Sequence, residues 1–241
     1  MPKTKYEDIY RSIKKRIEAQ DYPYQSLLPS ENTFVEQFSC SRNTVRRAVA
    51  GLIAEGYVQP MQGRGVRVIY QPAGKTTFLV GGIETFQETA HRNNLHATTK
   101  VVRFEAITAD EALAAKSGFA IGEELWVVNR VRYLDNKALI FDINYFLRDL
   151  VPGLTEQLAA QSIYNYIENT LGMQIVTSKR RITVERTTAL DEKWLDMDGY
   201  DCVAVVNGQT FNAAGQLFEY TQSRHQPDYF CFQDTAIRKR Q

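Results

Sequence analysis

The chain of 241 residues has few cysteines and no long apolar run. Cys40, Cys202 and Cys231 lie far apart, with no C-x-x-C pair and no histidine at metal-ligand spacing. A disulfide framework or a zinc site is therefore not expected, and free thiols are typical of a reducing cytosol. A membrane helix would need roughly 20 apolar residues, and the charged N-terminus lacks the apolar core of a signal peptide. We expect a soluble, cytoplasmic protein without a cofactor.

The chain also has almost no net charge, +1, but this average conceals an asymmetry. Residues 1–70 contain 11 Lys and Arg against 7 Asp and Glu, a net of +4, and the remaining residues contain 18 against 21. A basic front part on a mildly acidic body fits DNA contact confined to one domain. Pro72 and Gly74 lie in an aperiodic stretch that is typical of a linker. We predict a DNA-binding domain at 1–70, a linker at 71–77 and a second domain at 78–241.

The first domain has the pattern of three helices, the last two joined by a short turn. Apolar residues recur at helical spacing from Tyr6 to Ile17 and from Val45 to Ile53. Ser30 is placed as the N-cap of the second helix and Ser41 as the N-cap of the third. The pattern predicts two short helices and a tight turn, the arrangement that places a helix in the major groove of DNA.

The exposed face of the third helix carries five polar residues, Arg42, Asn43, Thr44, Arg46 and Arg47. A helix N-terminus presents free N–H groups to phosphate, and arginine binds guanine O6 and N7 with two hydrogen bonds. The alternative is the solvent-facing helix of any globular protein. That alternative does not account for the stretch Gln62-Gly63-Arg64-Gly65, which lies between two β-forming runs and predicts a hairpin. Arg64 at its tip would reach the minor groove or the adjoining backbone.

These motifs resemble the winged helix-turn-helix domain of the GntR family of bacterial regulators. The resemblance rests on L-P-S-E, S-R-N-T-V-R-R-A, L-I-A-E-G-Y-V and Q-G-R-G-V, and it covers nearly all of residues 5–70. It implies operator contacts at Glu31, Arg42, Thr44, Arg46, Gln62 and Gly63, with Asn43 at a more variable position that tunes sequence choice. The full set of candidate DNA-binding residues is Ser30, Glu31, Ser41, Arg42, Asn43, Thr44, Arg46, Arg47, Gln62, Gly63 and Arg64.

The second domain mixes strands and helices, and its first hairpin carries two arginines. Strand alternation places Arg130 and Arg132 on one face, and a turn at Asp135-Asn136 leads to the next strand. With a three-residue loop Asp142 would face Arg130, whereas a two-residue loop would send it to the other face. Two arginines among apolar neighbours are costly to bury without an anion. Either an anionic ligand such as phosphate or a structural Arg–Asp pair would satisfy them.

Two later segments add candidate ligand groups. Ser162 is placed at a helix N-terminus, where it either caps the helix or, with Tyr164, binds an anion. The predicted strand Leu217–His225 has Glu219 and His225 on one polar face with a threonine and a serine between them. Such a face offers donors and acceptors to a hydroxyl-rich sugar, although a lone histidine is more often structural.

This domain resembles the UTRA effector domain of the HutC subfamily. The resemblance rests on R-V-R-Y, D-I-N-Y-F-L-R-D-L-V-P-G-L, S-I-Y-N-Y-I-E and F-E-Y-T-Q-S-R-H. It implies an α/β (α+β) fold like that of chorismate lyase, with a mainly antiparallel sheet. It also implies that a phosphate is held by Arg130, Arg132, Ser162 and Tyr164. The sugar would lie against Asp142, Glu219 and His225. The loop with Thr85, Phe86 and Gln87 would help to close the site.

The segments are most similar to regulators of trehalose operons, which implies trehalose 6-phosphate as the effector. The alternative effector is N-acetylglucosamine 6-phosphate or glucosamine 6-phosphate, but Asp142 and His225 depart from the sensors of amino-sugar phosphates, which have Glu and Tyr there, and this weakens that assignment. We expect a repressor that binds operator DNA as a homodimer, because two recognition helices read half-sites about one turn apart. A lyase-like enzyme is the remote alternative, since no nucleophile–base pair, metal cluster or cofactor loop is evident.

Overall fold

The computed structural model describes residues 5–71, 83, 86–92 and 95–232. The chain divides into two compact units, and the division falls between residues 74 and 75. Of the predicted linker, 71–77, only residue 71 is among the described residues. Each unit has its own hydrophobic core, with helices and antiparallel strands in both. No helix among the described residues is long and apolar enough to cross a membrane.

The first unit is a three-helix domain with a β-hairpin. Its elements are α1 (Lys5–Glu18), α2 (Glu31–Phe38), α3 (Arg42–Ala54), β1 (Val58–Met61) and β2 (Gly65–Val68). The apolar face of each helix meets one core, where Ile13, Phe34 and Leu52 are fully buried. Ser30 and Ser41 cap α2 and α3, each accepting a hydrogen bond from the backbone N–H three residues on, at 3.2 Å. The predicted helix-turn-helix and its two caps are confirmed.

The second unit is built on one six-stranded antiparallel sheet in the order β3-β4-β5-β8-β7-β6. The strands are β3 (Ala97–Thr108), β4 (Glu124–Leu134), β5 (Lys137–Leu147), β6 (Ile175–Arg186), β7 (Cys202–Asn212) and β8 (Leu217–His225). The helices are α4 (Phe86–Arg92), α5 (Glu111–Ser117), α6 (Glu156–Ala160), α7 (Ile163–Asn165) and α8 (Ala189–Trp194), with a π-helical turn at Tyr166–Thr170 and a 3-10 turn at Pro227–Tyr229. The predicted mixed fold with a mainly antiparallel sheet is confirmed.

The β4–β5 hairpin corrects one expectation about loop length. Its turn has two residues, Asp135 and Asn136, both with positive φ, yet Asp142 still pairs with Arg130. The expectation that a two-residue loop would send Asp142 to the other face is wrong, because Leu139 is an extra residue between the pairs on either side of it. This β-bulge restores the register. Leu139 itself is buried in a small apolar cluster.

A buried network of charged side chains lies on one face of β8 and connects this strand to its neighbours. The Arg224 guanidinium donates to both carboxylate oxygens of Asp191 at 2.7 and 2.9 Å and to Glu185 at 2.9 Å. Burial by itself would raise the pKa of Asp191, but the hydrogen bonds from Arg224 and Thr188 hold it below its usual value. The network joins β8 to α8 and to β6, so it fixes the strand that carries Glu219 on its other face.

We predict that Asp191→Ala lowers the free energy of unfolding by about 3–5 kcal/mol, because it strips a buried arginine of its main partner. Urea unfolding followed by circular dichroism measures this change. The matched control is Glu105→Ala, which breaks the exposed Arg103–Glu105 pair and is expected to cost less than about 1 kcal/mol. Equal effects of the two substitutions would contradict a structural role for the network.

Candidate DNA-binding face and candidate ligand cavity

The N-terminal half of α3 presents an exposed polar face. Arg42, Asn43, Arg46 and Arg47 are all exposed on it. The Arg46 Nε donates to both carboxylate oxygens of Glu31 at 3.0 and 3.1 Å, which leaves its terminal nitrogens without hydrogen-bond partners among the described residues. Glu31 therefore orients Arg46 from the preceding helix. A guanidinium held in one direction by a carboxylate is suited to fork-like contact with a base or a phosphate.

The remaining candidate residues of this face fall into two groups. The hydroxyls of Ser30, Ser41 and Thr44 are engaged in the helix caps, so their first role is to fix the starts of α2 and α3. Arg47 lies over the ring of Tyr6, with its guanidinium carbon 3.8 Å from the ring centre, so α1 holds this side chain. The helical pattern of α3 alone did not predict this cation–π contact.

The hairpin has the form that the sequence predicts for a wing. Gly63 and Gly65 have φ of 70° and 101°, a region that L side chains rarely adopt, so glycine is required at both ends of the tip. Gln62 and Arg64 are exposed there. The tip thus presents one cation and one amide beyond the strands, and both are able to contact the DNA backbone or a groove edge.

The second unit contains a cavity of about 230 Å³ on one face of its sheet. Nine of the predicted ligand residues line it: Phe86, Gln87, Arg130, Arg132, Asp142, Ser162, Tyr164, Glu219 and His225. Thr85 lies outside the described residues. The cavity floor is formed by β4, β5, β8, β7 and β6, and the first residues of α7 form part of its wall. Strands distant in the sequence therefore bring the predicted groups together.

The two arginines of β4 differ in their partners. Arg132 donates from Nε to Asp142 at 2.9 Å and from a terminal nitrogen to Thr99 at 2.7 Å. Arg130 donates to the neutral amide oxygen of Asn144 at 2.8 Å, and its Nε has no hydrogen-bond partner in the described part of the chain. Burial, and then the neighbouring Arg132, lower the pKa of Arg130 to about 9. Arg130 is thus a buried cation without a hydrogen-bonded carboxylate.

Asp142 lies at the centre of a chain of hydrogen bonds. Burial would raise its pKa, but Arg132 and Arg130, with a hydrogen bond from Ser223, hold it below the usual value. Ser223 donates its only proton to Asp142 and also lies 2.9 Å from Nε2 of His225, so His225 must be the donor in that contact. Burial lowers the pKa of His225 to about 4, so the ring is neutral at pH 7. Serine lies between Asp and His here, whereas in hydrolytic triads histidine lies between the other two.

Glu219 is the second buried carboxylate of the cavity. It accepts hydrogen bonds from Tyr164, Asn144 and Thr221. Burial, and then the Glu219 charge, raise the pKa of Tyr164 well above its usual value, so the phenol remains a donor. Ser162 caps α7 by accepting from the backbone N–H of Asn165 at 3.3 Å. Both groups that the sequence placed at this helix start therefore line the cavity.

The cavity also contains polar residues that the sequence reasoning did not select: Asn144, Gln161, Ser178, Arg180, Thr210, Thr221 and Ser223. A period-2 pattern was available for some of them, since Asn144 follows Asp142 by two residues and Thr221 lies between Glu219 and Ser223. No local signal pointed to Ser178 and Arg180, because their place beside the cavity depends on β6 pairing with β7. Among the described residues, no group of three His, Cys, Asp or Glu side chains is arranged to hold a metal.

Comparisons with known proteins agree for both units. Residues 5–68 match the model of the gntR family of bacterial regulatory proteins, and residues 92–231 match that of the UTRA domain. The chain is 35% identical to the transcriptional regulator TreR of Bacillus subtilis over 99% of each chain. It is 28% identical to GmuR of the same organism, over 98% of this chain and 99% of that one.

Two solved structures extend the comparison. The regulator YydK of B. subtilis covers 98% of this chain and 100% of its own with a TM-score of 0.82, but at 21% identity it shows the fold alone. The effector binding domain of the B. subtilis trehalose repressor aligns at 36% identity with a TM-score of 0.54, over 59% of this chain and 99% of its own.

A winged helix-turn-helix followed by a cavity-bearing UTRA domain defines the class of DNA-binding transcriptional regulators with an effector domain. The chain belongs to the GntR family, in the HutC group whose members carry this second domain. Its relatives over nearly its whole length are transcriptional regulators rather than enzymes.

The different surroundings of the two buried arginines predict different effects on stability. Arg130→Met removes a charge that has no carboxylate partner, so the free energy of unfolding is expected to stay within about 1 kcal/mol of the wild type or to rise. Arg132→Met leaves Asp142 buried without its main partner and is expected to cost about 3 kcal/mol. Urea unfolding of both variants tests this. A loss from Arg130→Met as large as that from Arg132→Met would show that Arg130 is structural.

The exposed face of α3 predicts a loss of DNA affinity in Arg42→Ala. The measurement is fluorescence anisotropy at several salt concentrations. It compares binding to a duplex that the wild-type protein selects from a random pool with binding to a scrambled duplex. Loss of a phosphate contact weakens both duplexes and reduces the salt slope by about 1, whereas loss of a base contact costs about 1–3 kcal/mol on the selected duplex alone. Arg186→Ala, which removes an exposed arginine from β6, is the charge-matched control. Unchanged affinity of Arg42→Ala for both duplexes would contradict the assigned face.

Proposed function

We propose that the protein represses a trehalose-utilisation operon and that trehalose 6-phosphate, bound in the cavity of the second domain, releases it from operator DNA. The observation that carries this proposal is the Arg130 guanidinium, which is buried at the cavity floor next to Arg132 and has no hydrogen-bonded carboxylate among the described residues. An unpaired buried cation is unfavourable unless an anion reaches it, and a phosphate group forms the two parallel hydrogen bonds that a guanidinium offers.

The charges of the lining favour an anion over a neutral sugar. Three arginines, Arg130, Arg132 and Arg180, line the cavity with two carboxylates, Asp142 and Glu219. Arg130 and Arg132 lie on the same face of β4, and Ser162 and Tyr164 supply hydroxyl groups to the same cavity. These four side chains are the proposed phosphate subsite.

The rest of the cavity supports a sugar as the other part of the ligand. Asp142, Glu219 and the neutral His225 ring place hydrogen-bonding groups on β5 and β8, and the hydroxyl groups of a sugar pair with such groups. Phe86 and Phe230 line the same cavity and offer apolar faces of the kind that pack against the C–H face of a pyranose. The 35% identity to TreR supports trehalose as the sugar.

Control of DNA binding follows from differential affinity. The effector releases the repressor only if it binds the DNA-incompetent state more tightly than the DNA-bound state. A homodimer suits the function, because two α3 helices would read half-sites of a two-fold operator about one DNA turn apart.

Isothermal titration calorimetry of the full chain tests the ligand. Trehalose 6-phosphate is expected to bind, and trehalose, which lacks the phosphate, is expected to bind about tenfold to a hundredfold more weakly. Arg130→Met should abolish the difference between the two sugars, whereas the surface variant Arg186→Met should bind like the wild type.

Two outcomes would overturn the proposal. Tighter binding of glucosamine 6-phosphate or N-acetylglucosamine 6-phosphate would show that the sugar is wrong. An operator affinity that saturating trehalose 6-phosphate leaves unchanged at fixed salt would show that the cavity does not control DNA binding.

A further inference from the structure

Gly208 occupies an unusual place in the cavity. It lies in the interior of β7, the strand next to the edge strand β6, and is buried. Its φ lies outside the left-handed region, so the backbone there is one that any residue adopts. Glycine within a strand weakens it and often marks a close approach of a ligand or another backbone. The backbone conformation therefore does not explain the glycine.

Packing does not explain it either. A Cβ built on Gly208 would meet only the Ser178 hydroxyl at 3.9 Å and the Lys179 carbonyl oxygen at 4.0 Å among the described residues. Both distances are ordinary van der Waals contacts. A side chain at this position would therefore start without a clash at its Cβ and would project into the cavity, which Gly208 lines. Because Gly208 has no side chain, the part of the cavity next to it stays open.

The register of the sheet shows in which part of the cavity this space lies. Gly208 pairs with Thr221 on one side and with Arg180 on the other, and Thr221 in turn pairs with Asn144. Three strand spacings separate β7 from β4, which carries the phosphate-binding arginines, a distance of roughly 14 Å at about 4.8 Å each. The floor at Gly208 thus lies well away from the β4 end of the cavity.

We infer that Gly208 is a specificity-determining residue that keeps the cavity open for a second hexose ring, with Ser178 and Arg180 beside that ring. This inference rests on the proposed function, since it assumes that a phosphorylated sugar occupies the β4 end. The ligand class is then a phosphorylated disaccharide, and a monosaccharide phosphate fills only the part of the cavity nearer β4.

The test is the series Gly208→Ala and Gly208→Val, titrated with trehalose 6-phosphate and glucose 6-phosphate. Gly208→Val should weaken trehalose 6-phosphate by about tenfold or more, because an added side chain in a sugar pocket clashes with the ring it was shaped to admit. Glucose 6-phosphate binding should stay within the error of the wild-type value, and Gly208→Ala should lie between. Thermal unfolding without ligand should show no fall in Tm, since the strand accepts the side chain.

Ala106→Val, at an exposed position of β3 outside the cavity, is the matched control and should change neither affinity. Equal loss of both ligands in Gly208→Val, or loss of neither, overturns the role of Gly208 while leaving the proposed function intact. Wild-type protein that binds neither sugar phosphate overturns both. Loss confined to trehalose 6-phosphate supports the inference.

Discussion

The register between β4 and β5 is the constraint on which the cavity depends. The extra residue Leu139 moves every later pair of this hairpin by one position, and only with that shift does Asp142 lie on the same face as the two arginines. The carboxylate then pairs with Arg132 and leaves Arg130 without one. Because Leu139 is buried in an apolar cluster, core packing maintains the bulge. A hydrophobic contact at one end of the hairpin thus determines the electrostatics of the cavity floor.

Strand β8 serves both faces of the sheet. Its alternate residues place Glu219, Thr221 and His225 in the cavity, and on the other face Arg224 binds a fully buried aspartate of α8. Arg224 on the far face has two carboxylate partners, whereas Arg130 on the cavity face has no hydrogen-bonded carboxylate among the described residues. Stability is therefore concentrated on the side away from the ligand, and the unfavourable charge remains where a ligand would relieve it. Proteins commonly accept such local instability at functional sites.

Local patterns in the sequence were enough to predict the first domain, and long-range pairing limited the prediction of the second. The caps at Ser30 and Ser41 and the wing glycines depend on residues within a few positions of one another, so sequence spacing reveals them. The bulge at Leu139 depends on burial against another part of the fold, and turn length alone predicted the wrong register. The places of Arg180 and Gly208 depend on β6 and β7 pairing, and a glycine gives no sign of the space that it preserves.

The helix caps and the Glu31–Arg46 pair are formed by residues of the first domain itself. The cavity differs, because the buried Arg130 has no hydrogen-bonded carboxylate among the described residues. Under the proposed function, the bound ligand supplies the free energy that changes DNA binding. A ligand shifts such an equilibrium only by its difference in affinity for the two states. The buried arginine suits this role, since a shift in the strands that surround it changes the binding of a phosphate far more than that of a neutral sugar.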